Sequence, residues 1–378
     1  MNDGKARIVV AGLSARLMAE ASAQDGFEVM ALDLFGDQDT RRAATAGWRR
    51  IGDAARMRLD AARCLAALHG LADRGGSIGW IAGSGFEAQP ELLEGGASVL
   101  PLLGTAPGDV ARLRDPTRFF GFLASQDIAH PPWGELPSSE GSRWLVKDAR
   151  ACGGWHVERV KGQALLPSPH HYFQQEVPGQ PMSATFVGNG REAVVLGFND
   201  MIVRPIGARP FVFCGVVGPV PLPDLLTRKL NGIAQQLTAE FRLRGLCSLD
   251  FIREGNACSV LEVNARPPAS LALYPSAMRA HVQACLDGRL PVIPLLPLVP
   301  GPGGTEIVFA RRPIVVDESL ALQLAERNDV HDLPYAGARF AAGDPVCSLS
   351  ARGPDADAVR EHLAVAREAL LNTLENRP

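Results

Sequence analysis

The chain has 378 residues, of which 46% are hydrophobic and 21% charged, with a formal net charge of -3. That length supports about two or three domains with buried cores, and the balance is that of an ordinary globular protein, not a disordered or fibrous one. The small net charge excludes a polyanion-binding surface as the dominant property, so neither nucleic acid nor membrane is an expected partner. A local basic cleft for a phosphate ligand stays open.

Seven cysteines, at 64, 152, 214, 247, 258, 285 and 347, show no CxxC or other close pairing. That scatter argues against a disulfide framework and a zinc site, and for a reducing compartment. No basic segment followed by an apolar one opens the chain, so no signal peptide is expected. The greasiest stretch, Leu290 to Pro300, is broken by four prolines. It reads as an extended linker and not as a membrane helix. A cytoplasmic location is the resulting expectation.

In chain order, Arg7 to Ala11 is a continuous apolar run of buried-strand type, closed by Gly12. Ser14 is placed to cap a helix through Gln24, which Gly26 ends. Phe27 to Leu32 predicts the next strand, with Asp33 just beyond it. A helix around 54–72 precedes a strand from Ser77 to Ala82. Repeated βα units of this kind make a parallel sheet, and they predict a Rossmann-like domain over 1–107.

From about 108 the pattern changes. A helix from Pro116 to Ala124 leads to Pro131-Pro132, and strands then follow in closer succession. Ser183–Val187 and Ala193–Leu196 read as a hairpin across Gly188-Asn189-Gly190. Leu246–Ile252 and Cys258–Val263 read as a second, with a helix at roughly 224–243 between the two. Beyond the Pro-rich stretch, Thr305–Val316 and Gly343–Ser350 predict strands and 355–375 an amphipathic helix. The fold class is therefore α/β plus α+β, with a central domain over 108–290 and a small α+β C-terminal domain after a linker over 291–378.

Residues two apart on a strand share a face, so Glu262, Asn264 and Arg266 point together. Asp250 on the partner strand joins them if the register brings it opposite. Two carboxylates and a carboxamide offer oxygen ligands, which suit Mg²⁺ bound together with substrate phosphates. Arg266 beside such a metal would meet phosphate oxygens with its planar fork. The plainer alternative is an exposed Glu262–Arg266 ion pair with Asn264 as a turn residue. Leu261 and Val263, whose apolar side chains call for a core, weigh against it.

Asp250 followed by Glu262-x-Asn264-x-Arg266 resembles the metal-binding end of ATP-grasp enzymes. Trp144-Leu-Val-Lys147 followed by Gly153-Gly154 is similar to the family's strand lysine and glycine-rich lid, within a lid subdomain of about 140–180. Tyr172-Phe-Gln-Gln-Glu-Val177-Pro-Gly179 resembles the hinge after the lid. Val9 to Arg16, Asp33 to Asp37 and Gly83 to Glu87, with Val330 to Gly337 and Gly343 to Ser348, look like the predicted ATP-dependent carboligase branch.

The resemblance implies a Rossmann-like domain ahead of a two-subdomain ATP-grasp fold. It implies ATP with Mg²⁺, for which Mn²⁺ can substitute, and Asp250, Glu262 and Asn264 as metal ligands. Lys147, Gly153 and Gly154 would contact nucleotide phosphates, and Gln174, Gln175, Glu176 and Val177 the base. Lys147, Arg266 and Arg204 would stabilise the reacting groups, and loop position alone selects Ser84, Gly85, Glu87 and Arg204 as the expected acceptor pocket. Many relatives carry a lysine in the helix before the lid, where this chain offers Arg114 and Arg118. Trp155 after the glycines, and Asp148 in place of a common proline, predict a shifted lid.

The implied reaction is acyl-phosphate ligation of a small carboxylate to an amine. In this branch it extends to joining an amino acid such as glutamate to an aromatic amine or amino acid in coenzyme biosynthesis, and a homodimer is the default assembly. Two other readings stand beside it. One is a nucleotide-binding protein without turnover. The other is a dinucleotide-dependent oxidoreductase, since Gly12 and Asp33 imitate such a unit. However, Gly12-Leu-Ser-Ala-Arg-Leu lacks the second and third glycines of that motif.

Overall fold

The computed structural model describes residues 5–137, 143–160, 168–293 and 301–375. Most of the Pro-rich stretch, and parts of the expected lid, lie outside the described residues. No helix of the described residues is long and apolar enough to cross a membrane.

The chain begins with β1 (Arg7–Ala11), α1 (Arg16–Gln24), β2 (Glu28–Asp33), α2 (Gln38–Ala43) and β3 (Gly47–Arg50). A small hairpin of β4 (Gly52–Asp53) and β5 (Arg58–Leu59) follows, then α3 (Ala61–Ala72) and β6 (Ser77–Ala82). The strands form a parallel sheet in the order β3-β2-β1-β6. Ile8, Val9 and Val10 are wholly buried, as a parallel strand covered on both faces requires.

Ser14 does not cap α1. The residue at that position is Ala15, which has no side-chain cap, and the Asp33 carboxylate accepts the Ala15 N–H at 3.0 Å instead. Asp33 also accepts from the N–H groups of Phe35 and Gly36 and from Trp48 Nε1. A fully buried acid committed to four donors inside the fold is not presented to a ribose, which counts against the oxidoreductase reading at its key residue. The helix expected around 54–72 starts later, at Ala61, because Asp60 caps it by accepting from Arg63 N–H.

Next come α4 (Pro90–Val99), α5 (Pro107–Leu113) and α6 (Pro116–Ser125), each with proline in its first turn, where the missing N–H costs nothing. β7 (Trp133–Gly134), β8 (Trp144–Asp148), β9 (Glu158–Arg159) and β10 (His171–Gln175) form a small antiparallel sheet in the order β7-β10-β8-β9.

β11 (Gln180–Asn189), β12 (Ala193–Ile206), β13 (Arg209–Gly218), α7 (Asp224–Phe241), β14 (Arg244–Glu254), β15 (Ala257–Asn264) and α8 (Ala277–Asp287) follow. Both hairpins foreseen in the sequence form, the first with longer strands than expected. The alternation of this sheet sets up the site. Met182, Ala184, Phe186, Leu249 and Phe251 bury one face, sharing a core with Leu226, Leu230, Ile233 and Leu237 of α7. Ser183, Thr185, Ser248 and Asp250 line the opposite face, as period two dictates.

The last part contains β16 (Gly303–Phe309), β17 (Ile314–Val315), α9 (Glu318–Ala325), β18 (Val330–His331), β19 (Arg339–Phe340), β20 (Pro345–Arg352) and α10 (Ala356–Glu375). The strand expected from Thr305 to Val316 breaks after Phe309, since Pro313 lacks the N–H a ladder needs. β16 pairs with β13, so the large sheet runs unbroken as β15-β14-β11-β12-β13-β16-β20-β18. Beyond residue 300, β16, β20 and β18 thus extend the central sheet, while β17 and β19 pair with each other.

Arg16 ties the two ends of the chain together. It is buried, with Nε 2.9 Å from Asp332 Oδ1, Nη1 2.8 Å from Glu20 Oε2 and Nε 3.8 Å from Asp39 Oδ2. Asp39 in turn accepts the N–H groups of Asp332 and Leu333. Removing the guanidinium from such a group leaves uncompensated buried carboxylates. Arg16→Ala should therefore lower the unfolding free energy by about 3–5 kcal/mol in urea titrations. A loss below about 0.5 kcal/mol would show that the junction is not held this way.

Candidate active site

β14 and β15 pair with Asp250 directly opposite Glu262 and Ser248 opposite Asn264, and the register shifts just after Asp250. Such irregularities recur beside functional sites because they re-aim side chains. Asn264 Nδ2 donates to Asp250 Oδ2 at 3.0 Å and to Ser248 Oγ at 3.3 Å. Glu262 Oε2 stands 3.6 Å from Arg114 Nη1. Lys147, buried on β8, faces both carboxylates from the small sheet. Burial lowers its pKa, and the fields of Glu262 and Asp250 oppose that only in part.

The two acids respond differently. Burial, and then the Glu262 charge, push Asp250 up to about 7. Burial acts on Glu262 in the same direction, but Arg114, then Lys147, outweigh it and hold Glu262 below the usual range. Two facing carboxylates that cannot both ionise comfortably, with a carboxamide oxygen nearby, are a donor set that fits a divalent cation.

The segment between β8 and β9 closes over this centre. Gly153 and Gly154 have φ of +70° and +76°, which only glycine adopts freely. Phe213 N–H donates to Gly153 O at 3.0 Å, and a Cβ on Gly154 would overlap the Phe211 carbonyl oxygen. Trp155 meets Phe309 edge-on at 5.8 Å between centroids. Arg114 donates to the carbonyls of Ala149 and Ala151 at 2.7 and 2.6 Å, so one guanidinium clamps the loop and reaches toward Glu262. Arg118, by contrast, is exposed beside Asp115. Of the two arginines, the structure brings Arg114 to the centre.

Comparison with known proteins bears on this arrangement. Residues 119–270 match the family model described as ATP-grasp domain. The match places an ATP-grasp domain in the middle of the chain. It is 22% identical over 184 residues to an uncharacterised protein of Methanocaldococcus jannaschii, a match covering 47% of this chain and 42% of that protein. The biotin carboxylase of Campylobacter jejuni, in a beta-gamma-ATP complex, has the same fold. Its TM-score is 0.73 at 14% identity, over 99% of this chain and 96% of that one. The N5-carboxyaminoimidazole ribonucleotide synthetase of Staphylococcus aureus, in complex with ADP, aligns with a TM-score of 0.67 at 15% identity, over 97% and 98%.

Against that ATP-grasp frame, several expected residues fall elsewhere. Arg266 lies just past the end of β15, where its Nε donates to the Glu87 carboxylate and its Nη1 to Pro267 O at 3.4 Å, and its charge still acts on Asp250 and Glu262. Of Ser84, Gly85 and Glu87, only Glu87 lines the cavity between the first sheet and the acid pair. Gly83, Phe86, Arg114, Asn264 and Arg266 also line it. Ser84 and Gly85 hold the loop instead, through Ser84 O accepting from Leu13 and Gly85 N–H donating to Glu87 Oε2. Arg204 is not brought to the centre: it pairs with Glu306, which Arg367 of α10 also engages.

At the hinge, Gln174 is buried and its Nε2 lacks a partner among the described residues. The Gln175 N–H cannot read a base, because it donates to Pro132 O. Glu176 is held by Arg159 through both oxygens, at 3.0 and 3.1 Å, and Val177 follows half-buried. Two residues the sequence did not single out also reach the centre. Cys152 lies in the fields of Glu87 and Arg266. His156, whose pKa burial lowers to about 4, lies in those of Glu262 and Lys147. Neither belongs to a motif that would have marked it.

The raised Asp250 sets two pH dependences. Between about pH 4 and 7 the folded, cation-free protein binds this proton more tightly than the unfolded chain. Stability from this group is therefore lost as pH rises through that window. Asp250→Asn should raise the cation-free melting temperature by about 2 °C or more at pH 8, and by less at pH 4.5, in scanning calorimetry. A variant no more stable than the parent at pH 8 would rule out the crowding described. Cation binding should conversely strengthen from pH 6 to pH 8 with release of a proton.

Proposed function

We propose that the chain is an ATP-dependent ligase that joins a carboxylate to an amine through an acyl-phosphate. The observation that carries this reading is Asp250 facing Glu262 beside Asn264, with Lys147 and Arg114 converging on them under a glycine lid. Asp250, Glu262 and Asn264 would hold Mg²⁺, with Mn²⁺ as a substitute, and the metal would neutralise phosphate charge during transfer. The ATP and ADP named for the two solved relatives support nucleotide as the co-substrate.

In this reading Lys147 places its charge on the polyphosphate, and the lid excludes water. Arg114 keeps the lid loop and Glu262 in register with each other. Gln174 offers its unpartnered amide N–H to the base. The substrate carboxylate attacks the γ-phosphorus, ADP leaves, and the amine then displaces phosphate from the acyl carbon. Chemistry of this type needs no side-chain nucleophile, since positioning and charge neutralisation lower the barrier.

The cavity beside the Glu87–Arg266 pair is the proposed acceptor pocket. Leu93, Leu102, Leu103 and Val110 give it an apolar wall. That wall and the resemblance to the carboligase branch together favour an aromatic amine or amino acid joined to glutamate in coenzyme biosynthesis. A cytoplasmic homodimer remains the proposed assembly.

The reading is tested by measuring ADP release over a panel of carboxylate and amine pairs. Asp250→Asn and Glu262→Gln should each cut turnover about 100-fold or more while the fold is retained. Hydroxylamine added with the active carboxylate should yield its hydroxamate. Unchanged ADP release in both variants, or no hydroxamate from any active pair, would contradict the metal assignment or the acyl-phosphate step respectively.

A further inference from the structure

The lid carries a group that the site so far leaves without a task. His156 lies between Trp155, seated on Phe309, and Val157, which is buried and donates its N–H to Gly154 O at 3.2 Å. That turn, held by the Gly153–Phe213 hydrogen bond, carries the imidazole within the fields of Glu262 and Lys147. The charged groups acting on it are Glu262 of β15, Lys147 and Asp148 of β8, and Arg114. Its Nδ1 is buried and has no hydrogen-bond partner among the described residues. A buried polar atom left unpaired costs about 1–3 kcal/mol, so it calls for a partner that arrives with a ligand.

We infer that His156 binds polyphosphate: its Nδ1–H donates to a phosphate oxygen of the Mg-nucleotide that the proposed ligase reading requires. The chemistry around the ring selects that partner. Lys147 and Arg114 gather anionic oxygen, and the acid pair calls for a cation, so the ligand they jointly fit is a metal-bound phosphate chain. An imidazole N–H is a donor of suitable geometry for such an oxygen. Trp155 makes the contact available, because its packing on Phe309 anchors the lid from outside while the next residue turns inward. In this chain a side chain supplements what the backbone amides of Gly153 and Gly154 offer.

The test is calorimetric titration with Mg²⁺ and a non-hydrolysable imido analogue of ATP. It compares the parent, His156→Ala and His156→Asn, and each unliganded fold is checked by its melting temperature. Asparagine places an amide N–H near the position of Nδ1. The expected result is affinity about tenfold weaker or more in His156→Ala, the loss of one hydrogen bond to a charged group, and largely restored in His156→Asn. A parent protein that does not bind the Mg-analogue would overturn the ligase reading along with this inference. A parent that binds and a His156→Ala variant of equal affinity would overturn the inference alone. Equal weakening of both variants would exclude the hydrogen bond.

Discussion

Asp250 and Glu262 face each other across two paired strands on a largely buried surface, and their repulsion organises what lies around them. A pair of like charges so placed is unfavourable in a low-dielectric site unless cations come close. Lys147 and Arg114 supply that charge from two different elements, and Asn264 donates to Asp250 from the neighbouring position. The residual mismatch shows as an Asp250 carboxyl pushed up to about 7. The arrangement is costly as structure and sensible as a cation seat. Stability set aside at one point for a ligand is a common pattern at functional sites.

The scaffold keeps that seat rigid. The apolar face of the large sheet packs on α7, which leaves the polar face to collect Ser183, Thr185, Ser248 and Asp250. The sheet then continues through β16 and β20, and Phe309 on β16 gives Trp155 of the lid its landing point. Arg16 locks the first sheet to the segment around Asp332, and Glu87 reaches from that first part to Arg266. The centre is thus assembled from the beginning, the middle and the end of the chain.

Much of this was legible in the sequence, for a physical reason. Period two on Glu262 and Asn264, and a turn between two alternating segments, announce a hairpin with one polar face. Local composition, however, does not contain register. Only the folded sheet shows that Asp250 meets Glu262 squarely. The strand ends at Asn264, so the alternation no longer governs Arg266, and only the fold shows that Glu87 takes its guanidinium beside the acid pair. Arg204 looked available by loop position, yet the buried Glu306 claims it. Ser14 had the right chemistry for a cap, but Asp33, distant in sequence, takes the helix end. The sequence offered Arg114 and Arg118 as equals, and only the fold shows that Arg114 reaches Glu262 and the lid carbonyls, contacts that no single-sequence pattern encodes.

The central claim is that the facing acids are a divalent-metal seat for a phosphate ligand. Crystals grown with Mn²⁺ and ADP, measured at an energy where manganese scatters anomalously, address it directly. The account predicts an anomalous peak between Asp250 and Glu262, with nucleotide phosphate on its open side beneath the lid. Manganese absent from that pair, or found instead among Glu20, Asp39 and His331, would contradict it.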